Sequence, residues 1–314
     1  MWSRVVGAVK QVLPGARKTT LWVIKLTCIV SALIFLLRYF GALPVIAAYL
    51  EPVMRLIGLP GEAALAYVSG YFVNIYSCIA VADTLSLSAR SMTILAVLVM
   101  CSHNMIVETA VQKKTGSSAL RIVLVRTISG LVLAFVLNKI MPPESESLGS
   151  LSLEPDGTFW EMFWPWLISL AKLCVKMALI IFSLSVVQQL LKEFGVMDFL
   201  ARLLKWPLKI FGLPQDTSFL WIIANTLGLA YGAAVIMQER ETGGISNRHA
   251  QLLNTHISIS HSNLEDLFLF WSVGGIWWII LLTRWVGSLI LVWEERLEFY
   301  LKDRRSKRMT EGGR

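Results

Sequence analysis

The sequence predicts an all-α integral membrane protein with about ten, or alternatively eight, transmembrane helices in two inverted repeats. The chain has 314 residues, of which 55% are hydrophobic and only 16% are charged. Several apolar runs approach the roughly 20 residues that cross a bilayer as a helix. Its second half also repeats a pattern of the first half. These three observations predict a multi-pass protein that arose by duplication.

The candidate spans follow one another along the whole chain. Residues 1–20 form a basic, acid-free leader without a convincing cleavage site, so we predict a retained first helix rather than a removed signal peptide. Residues 254–270 are less apolar than the other candidates because they carry polar side chains. The strongest candidate spans are residues 21–37, 63–82, 94–111, 122–140, 163–187, 219–237 and 276–293.

Loop charges predict the orientation of these spans. A basic cluster lies between two apolar segments and consists of Lys113, Lys114, Arg121 and Arg126. Residues 142–160 instead form an acidic linker without Lys or Arg. Basic loops favour the cytoplasmic side. We therefore expect a protein of the cytoplasmic, or inner, membrane with an external linker and with both termini in the cytoplasm. The net charge of +8 is assigned to such loops, and no nucleic-acid partner is expected.

This orientation requires an odd number of crossings before the linker. Residues 41–59 must then span or half-span the membrane, which gives five crossings in each half. The alternative is that residues 41–59 and 195–213 are interfacial amphipathic helices, which gives eight spans. The predicted division is a leader (1–20), a first repeat (21–141), an external acidic linker (142–160), a second repeat (161–293) and a basic cytoplasmic tail (294–314).

The internal repeat is the most informative feature of the sequence. FGALPVIAAYLEPVMRLIGLP, which begins at Phe40, matches FGVMDFLARLLKWPLKIFGLP, which begins at Phe194, at an offset of 154 residues. Further along, the offset becomes 158 residues. There, one element occurs once in each half. It consists of Ser-His, then a carboxylate after four intervening residues, then Arg after seventeen more. Inverted repeats of this kind are typical of secondary transporters.

The repeated element predicts a functional site, because ionisable side chains inside a membrane are costly and usually face a protein interior or a water-filled cavity. Side chains three, four and seven positions apart share a helix face. This spacing predicts one stripe of Cys101, Asn104 and Glu108 and a second stripe of Asn254, Ser258, His261 and Glu265, with Asp266 beside it. Asn74 and Asn225 lie in Gly/Ala-rich spans and can offer hydrogen bonds to a solute. The predicted substrate-binding or coupling residues are His103, Asn104, Glu108, Arg126, His261, Asn263, Glu265, Asp266, Arg284, Asn74 and Asn225.

Three chemistries are compatible with these residues. Histidine and carboxylate side chains can carry a coupling proton, or they can coordinate a divalent transition metal. The two arginines can instead hold an anionic solute through forked hydrogen bonds. A structural alternative is that Arg126 and Arg284 pair with Glu108 and Asp266 to join helices. The four cysteines lack the spacing of a disulfide framework or a zinc site.

The segments GLPGEAALAYVSGYFVNIYSCIAVA and VLVMCSHNMIVETAVQKKTG resemble the gate, or nucleoside-recognition, domain family. Its relatives include the membrane portion of bacterial ferrous iron transporter B, concentrative nucleoside transporters and spore-maturation membrane proteins. The resemblance covers residues 40–139 and 194–293 and implies a membrane transporter. The Cys-Asn-Val-Pro element of the iron transporter is replaced by sequence around Asn74, and the chain has no GxxxxGK[ST] loop.

The favoured function is transport of a small polar or anionic solute through a midplane site. A divalent metal carrier is the alternative within the same class, and a non-transporting membrane scaffold is the alternative from another class. No enzyme activity and no cofactor are expected, because Ser102 and His103 are adjacent and nothing else marks a nucleophile. The expected partners are the lipid bilayer and a small solute or ion. A second copy of the chain and a separate soluble subunit are further candidate partners.

Overall fold

The structure is a computed structural model that describes residues 2–85, 87–143 and 157–311. Within these ranges the chain is helical and contains no β-strand. Residues 144–156 of the predicted linker lie outside the described residues. The helices of the first half are α1 Trp2–Tyr39, α2 Ala42–Leu56, α3 Ala63–Phe72, α4 Ile75–Thr84, α5 Ala89–Ser102, α6 Met105–Lys114 and α7 Ala119–Ile140.

The second half contains helices in the same order. They are α8 Phe159–Glu193, α9 Val196–Leu204, α10 Pro207–Ile210, α11 Ser218–Thr226, α12 Leu229–Glu241, α13 Asn247–Ile259, α14 Glu265–Ser272 and α15 Trp277–Glu311, with a 3-10 helix at Gln215–Thr217. Helices α9 and α12 begin 154 residues after α2 and α4, and α13 and α15 begin 158 residues after α5 and α7. The helix starts therefore recur at both offsets found in the sequence.

Among the described residues, four helices are long and apolar enough to cross a membrane: α1, α7, α8 and α15. Helices α5 and α6 make a fifth candidate if they form one span, bent by 41°. The chain is thus an all-helical, multi-pass membrane protein. The predicted number of ten spans is not reached by these criteria, because several of the predicted spans are broken midway.

Two of the broken segments fold back on themselves. Residues 63–82 form parts of α3 and α4, and residues 219–237 form parts of α11 and α12. A Cβ atom added to Gly70 would lie 2.9 Å from the Cβ atom of Cys78, and one added to Gly232 would lie 2.9 Å from that of Ala224. Residues eight apart in a continuous helix are about 12 Å apart. Each helix pair is therefore a hairpin whose two arms pack side by side.

The segments that decided between ten and eight spans form short helices. Helix α2 has 15 residues and α9 has 9 residues, which gives lengths of about 22 and 14 Å. A hydrocarbon core is about 30 Å thick, so neither helix crosses it fully. Tyr49 and Val53 on α2 are exposed, whereas Ala47 and Met54 are buried. This division between faces suits a helix that lies at the membrane interface.

Corresponding long helices of the two halves run antiparallel. Arg4 at the start of α1 pairs with Glu193 at the end of α8, with Nε and Oε1 2.9 Å apart. Near the middle of both helices, the Sγ atoms of Cys28 and Cys174 are 4.0 Å apart. Likewise, Arg121 in the first turn of α7 lies 2.9 Å from Glu298 in the C-terminal half of α15.

Helix α5 lies at the centre of the protein, and its residues 91–102 are all buried. It packs closely against α7, because a Cβ atom added to Gly130 would lie only 3.0 Å from the carbonyl oxygen of Leu98. Gly287 allows a similar approach of α15 to Leu133 and Ile259. The C-terminal end of α5 therefore lies in the protein interior, where the repeated polar element begins.

Candidate functional site

Both copies of the repeated element break a helix. Helix α5 ends at Ser102, and α13 ends at Ile259. Asn104 and Ser262 then adopt positive φ angles of 48° and 52°. The backbone N–H of Asn104 donates to the carbonyl oxygen of Gly70 at 2.9 Å, and that of Ser262 donates to Ala224 at 3.2 Å. Each break is therefore anchored on the hairpin of its own half. The predicted continuous stripe through Asn104 and Glu108 is wrong for this reason.

Two fully buried arginines repeat the same contacts. The Arg126 Nε donates to the Cys101 carbonyl at 2.9 Å, and its Nη2 donates to the His103 carbonyl at 2.8 Å. Arg284 makes the equivalent bonds to Ile259 at 2.7 Å and His261 at 2.8 Å. The last carbonyl groups of a helix lack partners within the helix. The guanidinium groups thus satisfy the backbone at each break. All three nitrogen atoms of Arg284 donate hydrogen bonds, whereas Arg126 Nη1 has no partner in the described part of the chain.

His103 and His261 face each other where the two halves meet. Their ring centroids are 5.2 Å apart, and both rings are buried. The Nδ1 atom of His103 lies 3.2 Å from the Val99 carbonyl oxygen, and that of His261 lies 2.7 Å from the Ile257 carbonyl oxygen. A carbonyl only accepts hydrogen bonds, so each Nδ1 carries a proton. Both Nε2 atoms are left to face the centre.

The two carboxylates complete this centre, which we call the His–carboxylate centre and define as His103, Glu108, His261 and Asp266. The Nε2 atom of His103 lies 3.1 Å from Glu108 Oε1 and 3.5 Å from Asp266 Oδ2. The Nε2 atom of His261 lies 3.3 Å from Glu108 Oε2. All four side chains are buried. The centre is therefore built from both halves of the chain.

The two carboxylates differ in their arginine contacts. Arg126 Nη2 lies 2.7 Å from Glu108 Oε2, as the structural alternative predicted. Arg284 instead donates from Nη1 to Asn263 Oδ1 at 2.8 Å, and among the described residues no ion pair joins it to Asp266. Asp266 Oδ2 has no hydrogen-bond partner in the described part of the chain. The expected pair of identical helix staples is thus present in one half only.

This geometry favours a proton or another cation at the centre. If each histidine carries its proton on Nδ1, its Nε2 lone pair would point at a carboxylate oxygen, which is unfavourable in a buried site. A proton on Nε2, or another cation, makes the contact attractive. His103, Glu108 and His261 could also hold a metal ion, because one ligating atom from each lies within 4.8 Å of the others. Metal-binding histidines commonly donate their second N–H to a carbonyl in this way.

The remaining predicted residues lie around the centre or serve the fold. Asn263 donates to Asn225 Oδ1 at 2.5 Å and joins the second break to the α11–α12 hairpin. Glu265 accepts a hydrogen bond from the Tyr76 hydroxyl group of the other half. Asn74 caps α4 by accepting from the Ser77 N–H at 2.9 Å. Asn104 contributes through its backbone conformation.

Sequence reasoning placed Asn254 and Ser258 on an inward-facing stripe but missed the other members of a second group of polar side chains. Glu295 on α15 is fully buried, and it accepts hydrogen bonds from Gln251 and Thr255 of α13. These residues line a cavity of about 290 Å³. The spacing of Gln251, Asn254 and Ser258 on one helix face was the available signal. His256 was also missed, and it is held by Trp221 and Ser288.

Fold and site together define a multi-pass membrane protein of two related helical halves that meet at a buried polar centre. Residues 20–137 and 174–276 match the family described as nucleoside recognition, or Gate. The chain belongs to this Gate family. It is 31% identical over 274 residues, covering 83% of this chain and 85% of the other, to the uncharacterized membrane protein YvoD of Bacillus subtilis (strain 168). No solved structure matches the chain.

Proposed function

We propose that the chain is a secondary transporter or facilitator of the cytoplasmic membrane that moves a small polar solute past the His–carboxylate centre, where a coupling proton is bound. The observation that carries this proposal is the convergence of His103 and His261, one from each half, on Glu108. A non-transporting scaffold has no need for such a centre. Ionisable groups buried within a membrane protein commonly mark an ion or substrate pathway.

The proposal includes an inverted arrangement of the two halves. The antiparallel contacts between α1 and α8 support it. Three crossings in each half, with the α3–α4 and α11–α12 hairpins entering from opposite sides, give the odd number that loop charge demands. The crossings are α1, α5–α6, α7, α8, α13–α14 and α15. Both termini and the basic residues 113–121 are then cytoplasmic, and the acidic linker is external.

Charge favours a proton over a metal ion at the centre. Two arginines and two carboxylates, Glu108 and Asp266, already balance one another, and Glu265 adds one negative charge beside Asp266. A single proton neutralises that charge, whereas a divalent ion leaves an excess positive charge in a buried site. Arg126 also lies 2.7 Å from Glu108 and competes with a metal for its oxygen atoms. The arginines act as structural groups in this proposal.

Proton coupling is testable before the solute is known. We would reconstitute the protein in liposomes that contain a pH-sensitive dye and apply inward gradients of neutral polar solutes, nucleosides and phosphate-bearing compounds. We expect at least one gradient to drive proton movement, which Glu108→Gln abolishes and His249→Gln leaves intact. His249 pairs with Asp216 at a partly exposed position near the start of α13, twelve residues before His261. Solute uptake without proton movement would contradict the proposal.

A divalent metal carrier is the second candidate, and the 4.8 Å grouping of ligating atoms favours it. Calorimetric titration of the purified protein with Mn²⁺ and Zn²⁺ separates the two candidates. The proton-coupled proposal predicts no binding that depends on the centre. Binding that His261→Gln removes and His249→Gln retains would favour the metal carrier.

A further inference from the structure

A polar cavity of about 290 Å³ lies between α7, α13 and α15. Its lining includes Arg121 of α7, Glu295 of α15, and Gln251, Asn254 and Ser258 of α13. Asn254, Ser258 and Glu295 are buried within the protein. The volume is near the lower end of the about 300 to 1,000 Å³ typical of small-molecule sites.

The helix face that lines the cavity directly precedes one residue of the His–carboxylate centre. Gln251, Asn254 and Ser258 are three or four residues apart, and His261 follows three residues later. Such spacing places the three α13 residues on one helix face, and this face ends at the break where His261 turns to the centre. Ser258, which lines the cavity, therefore precedes His261 of the centre by only three residues along the chain.

The equivalent positions of the first half are closely packed. At the offset of 158 residues, Gln251, Asn254, Thr255 and Ser258 correspond to Thr93, Ala96, Val97 and Met100, all of which are fully buried. Arg121 and Glu295 correspond to the apolar residues Ile279 and Leu137. The set of residues that lines a polar cavity in the second half is therefore mostly apolar and closely packed in the first half.

The lining also indicates the charge of the solute. Arg121 is held by Glu298, whose carboxylate lies 2.9 Å from Nη1. Glu295 shares this guanidinium group, with its Oε1 atom 3.6 Å from Arg121 Nη2, so two carboxylates face one cation. The Asn254 Oδ1 atom has no hydrogen-bond partner in the described part of the chain. The cavity thus presents acceptors and a carboxylate but no cation free of an ion pair among its described lining. Hydroxyl, amide or amine groups would be favoured there, and anionic groups would not.

We infer that this cavity is the solute chamber of the transporter, open towards the end of the molecule that carries Lys113 and Lys114, and that its solute bears hydrogen-bond donors and no net negative charge. The inference rests on the proposed transport function. It places solute binding in the second half, beside the centre rather than at the arginines. The Ala96–Val97–Met100 region closes the corresponding route in the first half.

Cysteine accessibility tests this inference without knowledge of the solute. In a chain whose native cysteines are replaced by alanine, we would compare Ser258→Cys with its repeat partner Met100→Cys. Inside-out vesicles would be treated with hydroxyethyl methanethiosulfonate, which is neutral, or with its sulfonatoethyl analogue, which is anionic. We expect Ser258→Cys to react about tenfold faster with the neutral reagent, and Met100→Cys to react with neither.

Equal reaction of the two variants, no reaction at Ser258→Cys, or faster reaction with the anionic reagent would overturn the inference. Asn254→Cys and its partner Ala96→Cys give a second pair if either first variant fails to fold. Labelling needs neither a proton nor transport. Failure of the chamber therefore shows in this experiment, whereas failure of proton coupling shows in the liposome assay with Glu108→Gln.

Discussion

At the residue scale, equivalent side chains of the two halves have different partners. Arg126 and Arg284 bind the same pair of carbonyl groups in their own halves. Only Arg126 also contacts a carboxylate, Glu108, whereas Arg284 uses the amide of Asn263. The duplication has therefore kept the groups that stabilise each helix break and has allowed the groups at the shared centre to diverge.

This difference predicts unequal effects of two neutralising substitutions. Glu108→Gln removes the charge partner of a fully buried guanidinium group, and breaking a buried pair typically costs about 3–5 kcal/mol. Asp266→Asn leaves the hydrogen bonds of Arg284 in place and should cost less than about 1 kcal/mol. Denaturant unfolding of the purified proteins in detergent measures both changes. Equal losses of stability would show that Asp266 carries an ion pair of comparable weight.

The residues of the centre were predictable in type but only partly in role. The spacing of Ser, His, carboxylate and Arg in both halves identified His103, Glu108, His261 and Asp266. It could not show that the arginines bind helix-end carbonyl groups, because no sequence pattern marks where a helix inside an apolar run ends. It also missed Glu295, which lies more than two turns beyond Arg284 on a helix that passes into a charged tail.

At the element scale, the helical hairpins position both breaks. The α3–α4 hairpin receives the N–H of Asn104, and the α11–α12 hairpin receives those of Ser262 and Leu264. Gly70 and Gly232 allow the two arms of each hairpin to pack closely, because a Cβ atom at either position would lie 2.9 Å from a Cβ atom of the opposite arm. The hairpins thus hold the polar elements at the interior end of α5 and of α13.

Hairpin packing predicts that Gly70→Ala destabilises the protein. The new Cβ atom would lie 2.9 Å from the Cys78 Cβ atom and 2.9 Å from Val99 Cγ1, and overpacking of this kind costs about 1–3 kcal/mol. Gly15→Ala in α1 is the matched control, because nothing lies within 4 Å of its added Cβ atom. Thermal unfolding in detergent compares them. Equal melting temperatures would argue against the close hairpin.

Hydropathy located most helical segments but not their breaks. The prediction placed residues 63–82 and 219–237 in continuous spans, and both are broken at residues flanked by small or polar side chains, near Asn74 and Gly228. The mean hydropathy of a sequence window is the same whether the helix continues or turns back within the apolar interior, so it does not reveal a break. The eight-span alternative anticipated the short α2 and α9 helices better, because the acidic and basic residues of these segments indicated amphipathic faces.

At the scale of the whole molecule, two related halves form one centre. Neither half alone brings two histidines to a carboxylate, and the first-half positions equivalent to the α13 lining of the cavity are fully buried. This combination of a shared centre and a one-sided chamber is what alternating access requires, because the solute must reach the same site from one side at a time. The central claim is that the two histidines and Glu108 share a proton across the interface of the halves.

Nitrogen NMR of the protein labelled with 15N-histidine in lipid nanodiscs tests this claim most directly, since the chain has only four histidines. His103→Gln and His261→Gln spectra assign the two central residues. At neutral pH we predict a proton on Nδ1 of both rings and a further proton on His103 Nε2, shared with Glu108 and lost in Glu108→Gln. A His103 ring that is singly protonated in the wild type and unchanged by Glu108→Gln would contradict the account.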